Sequence, residues 1–446
     1  MNNLVEGKIS TTLLKFALPF LFASLLQALY GAADLFVVGQ FADSSAVSAV
    51  AIGSQVMQTI TGIILGISMG GTVLIGKTVG EKNQEGTAKA IGSLAILFVI
   101  FAVLLTPLML FATNPAIQLL HTPSEAVNYT RQYLLICASG IPFIIGYNAV
   151  GGIFRGLGDS KTPVYFVLVA CIVNIVVDVV LVGGFHLGAR GAAIATISAQ
   201  AISFFSALLY MIKKGFPFEI NRSHFRLHRE SVKHILIVGF PLALQDALVN
   251  VSFLIISAVI NTMGLVASAA VGVVEKIIVF AMLPPTAFGS AVSAMTAQNV
   301  GAGKPERAKK TLRFGIFYSL CFGVLAVAYC QVFPETLTAI FSTDQEVVKV
   351  AGQYLMSYSF DIALVSFVFC MNGYFSGKGK SVISLVHSMI ATFGFRVPLT
   401  IFISKMAGVT LYQLGFAPPI ASISSIIICF GYFIWQNRQE SKAVAL

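Results

Sequence analysis

Runs of about twenty apolar residues recur from one end of this chain to the other, and each is long enough to cross a hydrocarbon core about 30 Å thick as a helix. Twelve runs can be drawn, at 13–38, 46–72, 90–112, 131–153, 163–184, 190–212, 233–261, 266–296, 312–333, 351–375, 381–404 and 411–435. A membrane barrel would show alternating segments of about ten residues instead, so the reading is an all-α membrane protein. Only 10% of the 446 residues are charged and 57% are hydrophobic, whereas a soluble domain carries roughly a quarter charged residues. The first run contains Pro19 and Asp34 and lacks a small-residue cleavage pattern, so it is read as the first span and not as a removable signal.

Charge is concentrated in the connections. With an inside amino terminus, the inner connections hold Lys77, Lys82, Lys89, Arg155 and Lys161, the cluster from Lys213 to Lys233, and Lys304, Arg307, Lys309, Lys310, Arg313, Lys378 and Lys380. The outer ones hold only Arg131, Arg190, Lys349 and Lys405. The positive-inside rule therefore predicts a multi-pass cell-membrane protein with both termini in the cytoplasm. That bias also accounts for the net charge of +10 without a nucleic-acid partner, since no aromatic-and-basic binding face accompanies it. Cys137, Cys171, Cys321, Cys330, Cys370 and Cys429 all fall inside apolar runs without metal-ligand spacing, and are expected to be small buried hydrophobes.

The chain repeats itself. Tyr133-Leu-Leu returns as Tyr354-Leu-Met, Phe154-Arg-Gly-Leu-Gly-Asp-Ser160 as Phe375-Ser-Gly-Lys-Gly-Lys-Ser381, and Val79-Gly-Glu-Lys82 as Val300-Gly-Ala-Gly303, each 221 residues on. Ala17-Leu-Pro19 returns as Gly239-Phe-Pro241 at a shift of 222. The organisation predicted is an N-terminal six-helix lobe at 1–212, a cytoplasmic linker at 213–232 and a C-terminal six-helix lobe at 233–446. Six is even, so the two bundles are expected to enter from the same side, related by a pseudo-two-fold axis along the membrane normal. Transporters built that way hold substrate near the midplane between the repeats.

Five acids fall inside the runs: Asp34, Asp178, Asp246, Glu275 and Asp361. A carboxylate in a bilayer is costly, so each is a functional candidate facing protein or a water-filled cavity. Asn174 and Asp178 are four residues apart and share one helix face. Their oxygens suit Na⁺, and a buried carboxyl can equally hold a proton; a polar pair that only joins helices is the bland alternative. A shift of 221 carries Asp34 to Ile255 or Ile256, Asn174 to Phe395, Asp178 to Leu399 and Thr196 to Ala417, all apolar. Coupling chemistry is thus expected in the first half. Asp246, Glu275, Asp361 and Arg396 form a possible second-half site, although a salt bridge between the halves would also explain Arg396.

These residues resemble the multidrug and toxic compound extrusion family, MATE, over essentially the whole chain. The resemblance rests on Tyr30-Gly-Ala-Ala-Asp34 with Val38-Gly39, Phe154-Arg-Gly-Leu-Gly-Asp159, Asn174-Ile-Val-Val-Asp178 and Gly191-Ala-Ala-Ile-Ala-Thr196 in that order. It is similar to the prokaryotic DinF-like and bacterial drug-efflux branch. The resemblance implies a cation site in the amino-terminal lobe, onto which Asp34, Asn174, Asp178 and Thr196 map, and a first-helix bend at Pro19. Some members place the coupling acid in the second lobe, which keeps that site open. The sequence departs from the family at Ser376, where an arginine is usual. Gly379-Lys-Ser381 ends like a Walker A motif, but its first glycine would be Tyr374, so the match fails.

The function expected is therefore a secondary active antiporter, monomeric, exporting amphipathic or cationic organic compounds in exchange for H⁺ or Na⁺, with no other cofactor. Gln27, Tyr30, Tyr133 and Asn148 are placed in its substrate cavity. The alternative is a flippase of lipid-linked saccharides, which would want a cationic cavity for pyrophosphate. An enzyme is not expected: there is no HExxH or GxSxG pattern. Of six histidines only His387 lies well inside a run, with His121 and His186 near outer connections and His224, His228 and His234 near the linker.

Overall fold

The computed structural model describes residues 4–120, 122–216 and 218–445, and His121 lies outside them. Among the described residues there is no strand. The helices are, in order, α1 (Ile9–Phe41), α2 (Ser44–Gly80), α3 (Gln84–Leu119), α4 (Val127–Ser139), α5 (Ile141–Gly156), α6 (Thr162–Asp178), α7 (Gly188–Lys214), α8 (Arg229–Asn261) and α9 (Leu265–Ala281). They continue as α10 (Leu283–Gly301), α11 (Pro305–Val332), α12 (Pro334–Thr338), α13 (Gln345–Gly377), α14 (Ser381–Met389), α15 (Val397–Ser404), α16 (Leu411–Leu414) and α17 (Ala417–Ala445). Two π-helical segments, Val179–Gly184 and Ile390–Arg396, follow α6 and α14. Among the described residues eleven helical stretches are long and apolar enough to span a bilayer, and α4 with α5 makes a twelfth.

Local chemistry sets the helix ends. Asp43 Oδ1 accepts the Ala46 amide at 2.8 Å and Asn83 Oδ1 that of Gly86 at 2.8 Å, so α2 and α3 start on side-chain caps. Gly215, with φ of 67°, ends α7 in the left-handed conformation that costs glycine nothing. The third run, read as 90–112, extends to Gln84–Leu119 because the Asn83 cap lies before its polar first turn. The fourth run, read as one span over 131–153, is broken: α4 and α5 meet at 48° around Gly140. Pro142 has no amide to give the carbonyl of Ala138 and its ring collides there, which stops the helix. The bend is also seated from outside, since a Cβ on Gly140 would stand 2.2 Å from the Ile197 side chain of α7.

The chain packs as two compact units. Of the described residues, the first takes those up to Glu6, in Lys15–Ala243 and in Ala297–Lys304; the second takes those in Gly7–Leu14, in Leu244–Thr296 and from Pro305 onward. The core of the first is built on α2, α3, α4 and α5, with Val50, Ile64, Ile75, Leu94, Ile141 and Ile145 buried in it. That of the second includes Ile260, Val274, Ala351, Leu355 and Ile362.

Within each unit the same helix crossing appears. In the first, a Cβ on Gly152 would stand 2.5 Å from the Ser68 hydroxyl and one on Gly156 2.8 Å from the Ile75 side chain. In the second, a Cβ on Gly373 would stand 2.1 Å from the Gly289 carbonyl oxygen and one on Gly377 2.6 Å from that of Ser293. Small residues let membrane helices approach to backbone contact, where dispersion and polar contacts hold them. The first unit adds a reciprocal contact of its own, with Gly80 against the Gln298 carbonyl and Gly301 against that of Lys77.

One expectation about cysteine fails. Cys321 is exposed while the other five are buried. It shares its face of α11 with Phe317, Val324 and Leu325, all exposed, so that face carries apolar surface outward where a thiol has no core to enter.

Candidate functional site

Three helices of the first unit bring their polar residues to one place. Tyr30 and Asp34 are one turn apart on α1, Thr196 and Gln200 one turn apart on α7, so the two helices meet through two matched pairs. Thr196 Oγ1 donates to Asp34 Oδ2 at 2.9 Å, and Gln200 Nε2 donates to the Tyr30 hydroxyl at 3.1 Å. Asn174 and Asp178 of α6 complete the surroundings of the Asp34 carboxylate. Asp34 is 4% exposed and Asn174 and Asp178 are wholly buried, so water cannot solvate them freely.

Their polar atoms are not consumed by the fold. Asp34 Oδ1, both carboxylate oxygens of Asp178 and both amide atoms of Asn174 are buried without a hydrogen bond of good geometry. Buried polar groups are nearly always paired, so such a cluster asks for a function. Among the described residues no cationic side chain acts on either carboxylate. Asp178 also closes the regular part of its span, and the π segment begins at the next residue, with the Phe185 amide bonded to the Val180 carbonyl five residues back. Single π-helical turns recur at functional sites because the extra residue re-aims neighbouring side chains.

All four residues assigned to the cation site are thus found together. Of the cavity candidates, Tyr30 is half-buried beside Tyr147 and Cys171, and Gln27 is exposed. Tyr133 is buried against Gly53, its hydroxyl 3.0 Å from Ser54 Oγ. Asn148 is buried with its amide nitrogen on the Ile144 carbonyl, and its own carbonyl accepts from Ser68. A cleft of about 700 Å³ in the first unit is lined instead by residues such as Thr78, Lys82, Gln298 and Lys304. Pro19 lies inside α1, which runs as one helix through it. Sequence reasoning missed Gln200, although its place one turn after Thr196 was a usable signal.

In the second unit Arg396 ends the π segment, and its guanidinium lies 4.3 Å from the centre of the Phe253 ring with Nη2 3.4 Å from the Tyr358 hydroxyl. It acts electrostatically on both Glu275 and Asp361. The anticipated salt bridge between halves is therefore corrected: both acids facing Arg396 belong to its own unit. Asp361 accepts from Ser422, and Asp246 is exposed on α8. His387 is tied at both ring nitrogens, to Ser425 Oγ at 2.8 Å and Asn372 Oδ1 at 2.6 Å. His224 is buried outside the apolar runs with Nε2 3.1 Å from Glu85 Oε2. Among the described residues no three His, Cys, Asp or Glu side chains cluster to hold a metal.

Two repeats of a six-span helical unit with ionisable groups buried at membrane depth define a polytopic carrier-type membrane protein, and comparison with known proteins makes the class specific. The sequence model of the MatE family matches twice, at residues 19–180 and 241–402, so the chain belongs to the MATE family. "Probable multidrug resistance protein YoeA" of Bacillus subtilis (strain 168) is 26% identical over 438 residues, covering 96% of this chain and 95% of that one. "Probable multidrug resistance protein YpnP" of the same organism is 29% identical over 411 residues, with 92% of each covered. A structure described as the outward-facing conformation of a multidrug resistance MATE family transporter of the MOP superfamily superposes with a TM-score of 0.91 at 21% identity, over 99% of this chain and 98% of that one, which concerns the fold.

The two matched stretches begin and end 222 residues apart, the shift of Pro19 and Pro241, while the internal motifs keep 221.

Proposed function

We propose that this protein is a cation-coupled antiporter of the cell membrane, with cytoplasmic termini, that exports amphipathic organic cations in exchange for H⁺ or Na⁺. The single observation that carries the coupling is the Asp34–Asp178 pair, buried with orphaned oxygens and no cationic neighbour. Two adjacent carboxylates in a low-dielectric interior cannot both stay charged without compensation. A proton supplies it by neutralising one of them; Na⁺ supplies it through the oxygens of Asp34, Asp178, Asn174 and Thr196. An organic cation drawn to the same field supplies it as well, so ion and cargo compete, and loading one releases the other. Only a ligand with different affinities for the two states of the carrier shifts its equilibrium, and that competition provides the difference. The multidrug names of YoeA and YpnP support the cargo class.

The test is export of a fluorescent organic cation from proteoliposomes under separately imposed proton and sodium gradients. One of the two is expected to drive flux, and Asp34→Asn is expected to abolish that dependence. Gradient-driven flux unchanged in Asp34→Asn would refute the assignment.

A further inference from the structure

The two units treat their buried acids in opposite ways. In the first, neutral Asn174 stands beside two acids without a cation. In the second, Arg396 acts on both Glu275 and Asp361. The groups around Arg396 have counterparts in the first unit: at the shift of 221, Tyr133 becomes Tyr354, Cys137 becomes Tyr358, and Ser54, which bonds Tyr133, becomes Glu275, whose charge acts on Tyr354.

From this we infer that Arg396 is a tethered cation that plugs the second unit's acidic pocket, so that no free coupling ion enters between Glu275 and Asp361. A guanidinium is permanently charged in proteins, unlike a carboxyl that loads and releases a proton. Here it is fixed by the Phe253 ring, a cation–π contact, and by the Tyr358 hydroxyl. Among the described residues it closes no ion pair within 4 Å, yet it faces both carboxylates. Its charge thus compensates the pocket as a whole without locking either acid. Ser257 and Ser422 each bond one of the two carboxylates, Glu275 and Asp361 respectively. The consequence is asymmetric coupling by two similar repeats: the ion moves through the first, and the second keeps a constant charge through the cycle. This goes beyond the antiport proposal and rests on it only for the role of the first unit.

The experiment is a gain of binding. Full-length protein carrying Asp34→Asn and Asp178→Asn, which removes the first unit's carboxylates, is held at alkaline pH with radiolabelled Na⁺ as probe. That parent is expected to bind no Na⁺ above background. Adding Arg396→Gln is expected to raise bound Na⁺ about tenfold or more above that background, because the fixed unit charge that compensates the two acids has been removed. Adding Glu275→Gln and Asp361→Asn to that variant is expected to abolish the gain. Should Arg396→Gln fail to fold, Arg396→Met, which keeps an unbranched stem without the charge, replaces it. Saturable Na⁺ binding by the parent that disappears with Glu275→Gln or Asp361→Asn would overturn the inference, as would a folded Arg396→Gln variant that binds none. Neither result depends on whether Asp34→Asn abolishes efflux, so failure of the antiport reading is told apart from failure of this one.

Discussion

A lysine holds a backbone conformation that its repeat partner gives to glycine. Lys82 has φ of 56° and Gly303, 221 residues on, has φ of 68°, each just after the turn that ends α2 or α10. A left-handed residue with a Cβ costs roughly 1–2 kcal/mol, and glycine returns only roughly 0.5–1 of that through unfolded-chain entropy. Lys82→Gly is therefore expected to raise stability by about 0.5–1 kcal/mol, and Lys82→Ala to leave the strain in place. Reversible unfolding in detergent measures both. The same scale holds the site: Thr196 reaches Asp34 across 162 positions of sequence, a pairing that periodicity along one helix cannot state. What could be read locally, Asn174 and Asp178 sharing a face, was read.

Helices in these units are held by where they touch backbone to backbone. The Gly373 position leaves 2.1 Å between a new Cβ and a carbonyl oxygen of another helix, whereas around Gly184 nothing lies within 4 Å. Overpacking a close contact costs typically about 1–3 kcal/mol. Gly373→Ala should lose at least that much and Gly184→Ala should be nearly neutral, a contrast that thermal denaturation of purified protein resolves. If both behave alike, the crossing does not hold the unit. Helix existence was legible from run length, but the break at Gly140 was not, since Pro142 was hidden in a run of otherwise uniform hydropathy. The two π segments were invisible for a related reason. A local change of winding leaves composition untouched while rotating everything after it.

At the level of the molecule, the first unit is not a contiguous piece of chain. Ile235 and Gly239 of α8 press on α2 at Gly70 and Ile67, and Gln298 donates to the Gly156 carbonyl at 2.9 Å. A fragment ending at residue 228 lacks all three. It is expected to melt well below the intact protein, and co-expression of 229–446 is expected to restore the transition. A lone fragment as stable as the whole chain would contradict this. The repeat that made two six-helix copies readable therefore did not reveal how the copies share residues in packing.

By itself the sequence determined the spans, the duplication and the acids at membrane depth, because lipid forces long apolar runs and leaves buried charge conspicuous. Tertiary structure decided which polar groups meet, where a span breaks, and that Arg396 lies with the acids of its own unit. Those facts depend on the phase of one helix against another, and a half-turn of winding or a glycine contact sets that phase without leaving a mark in composition.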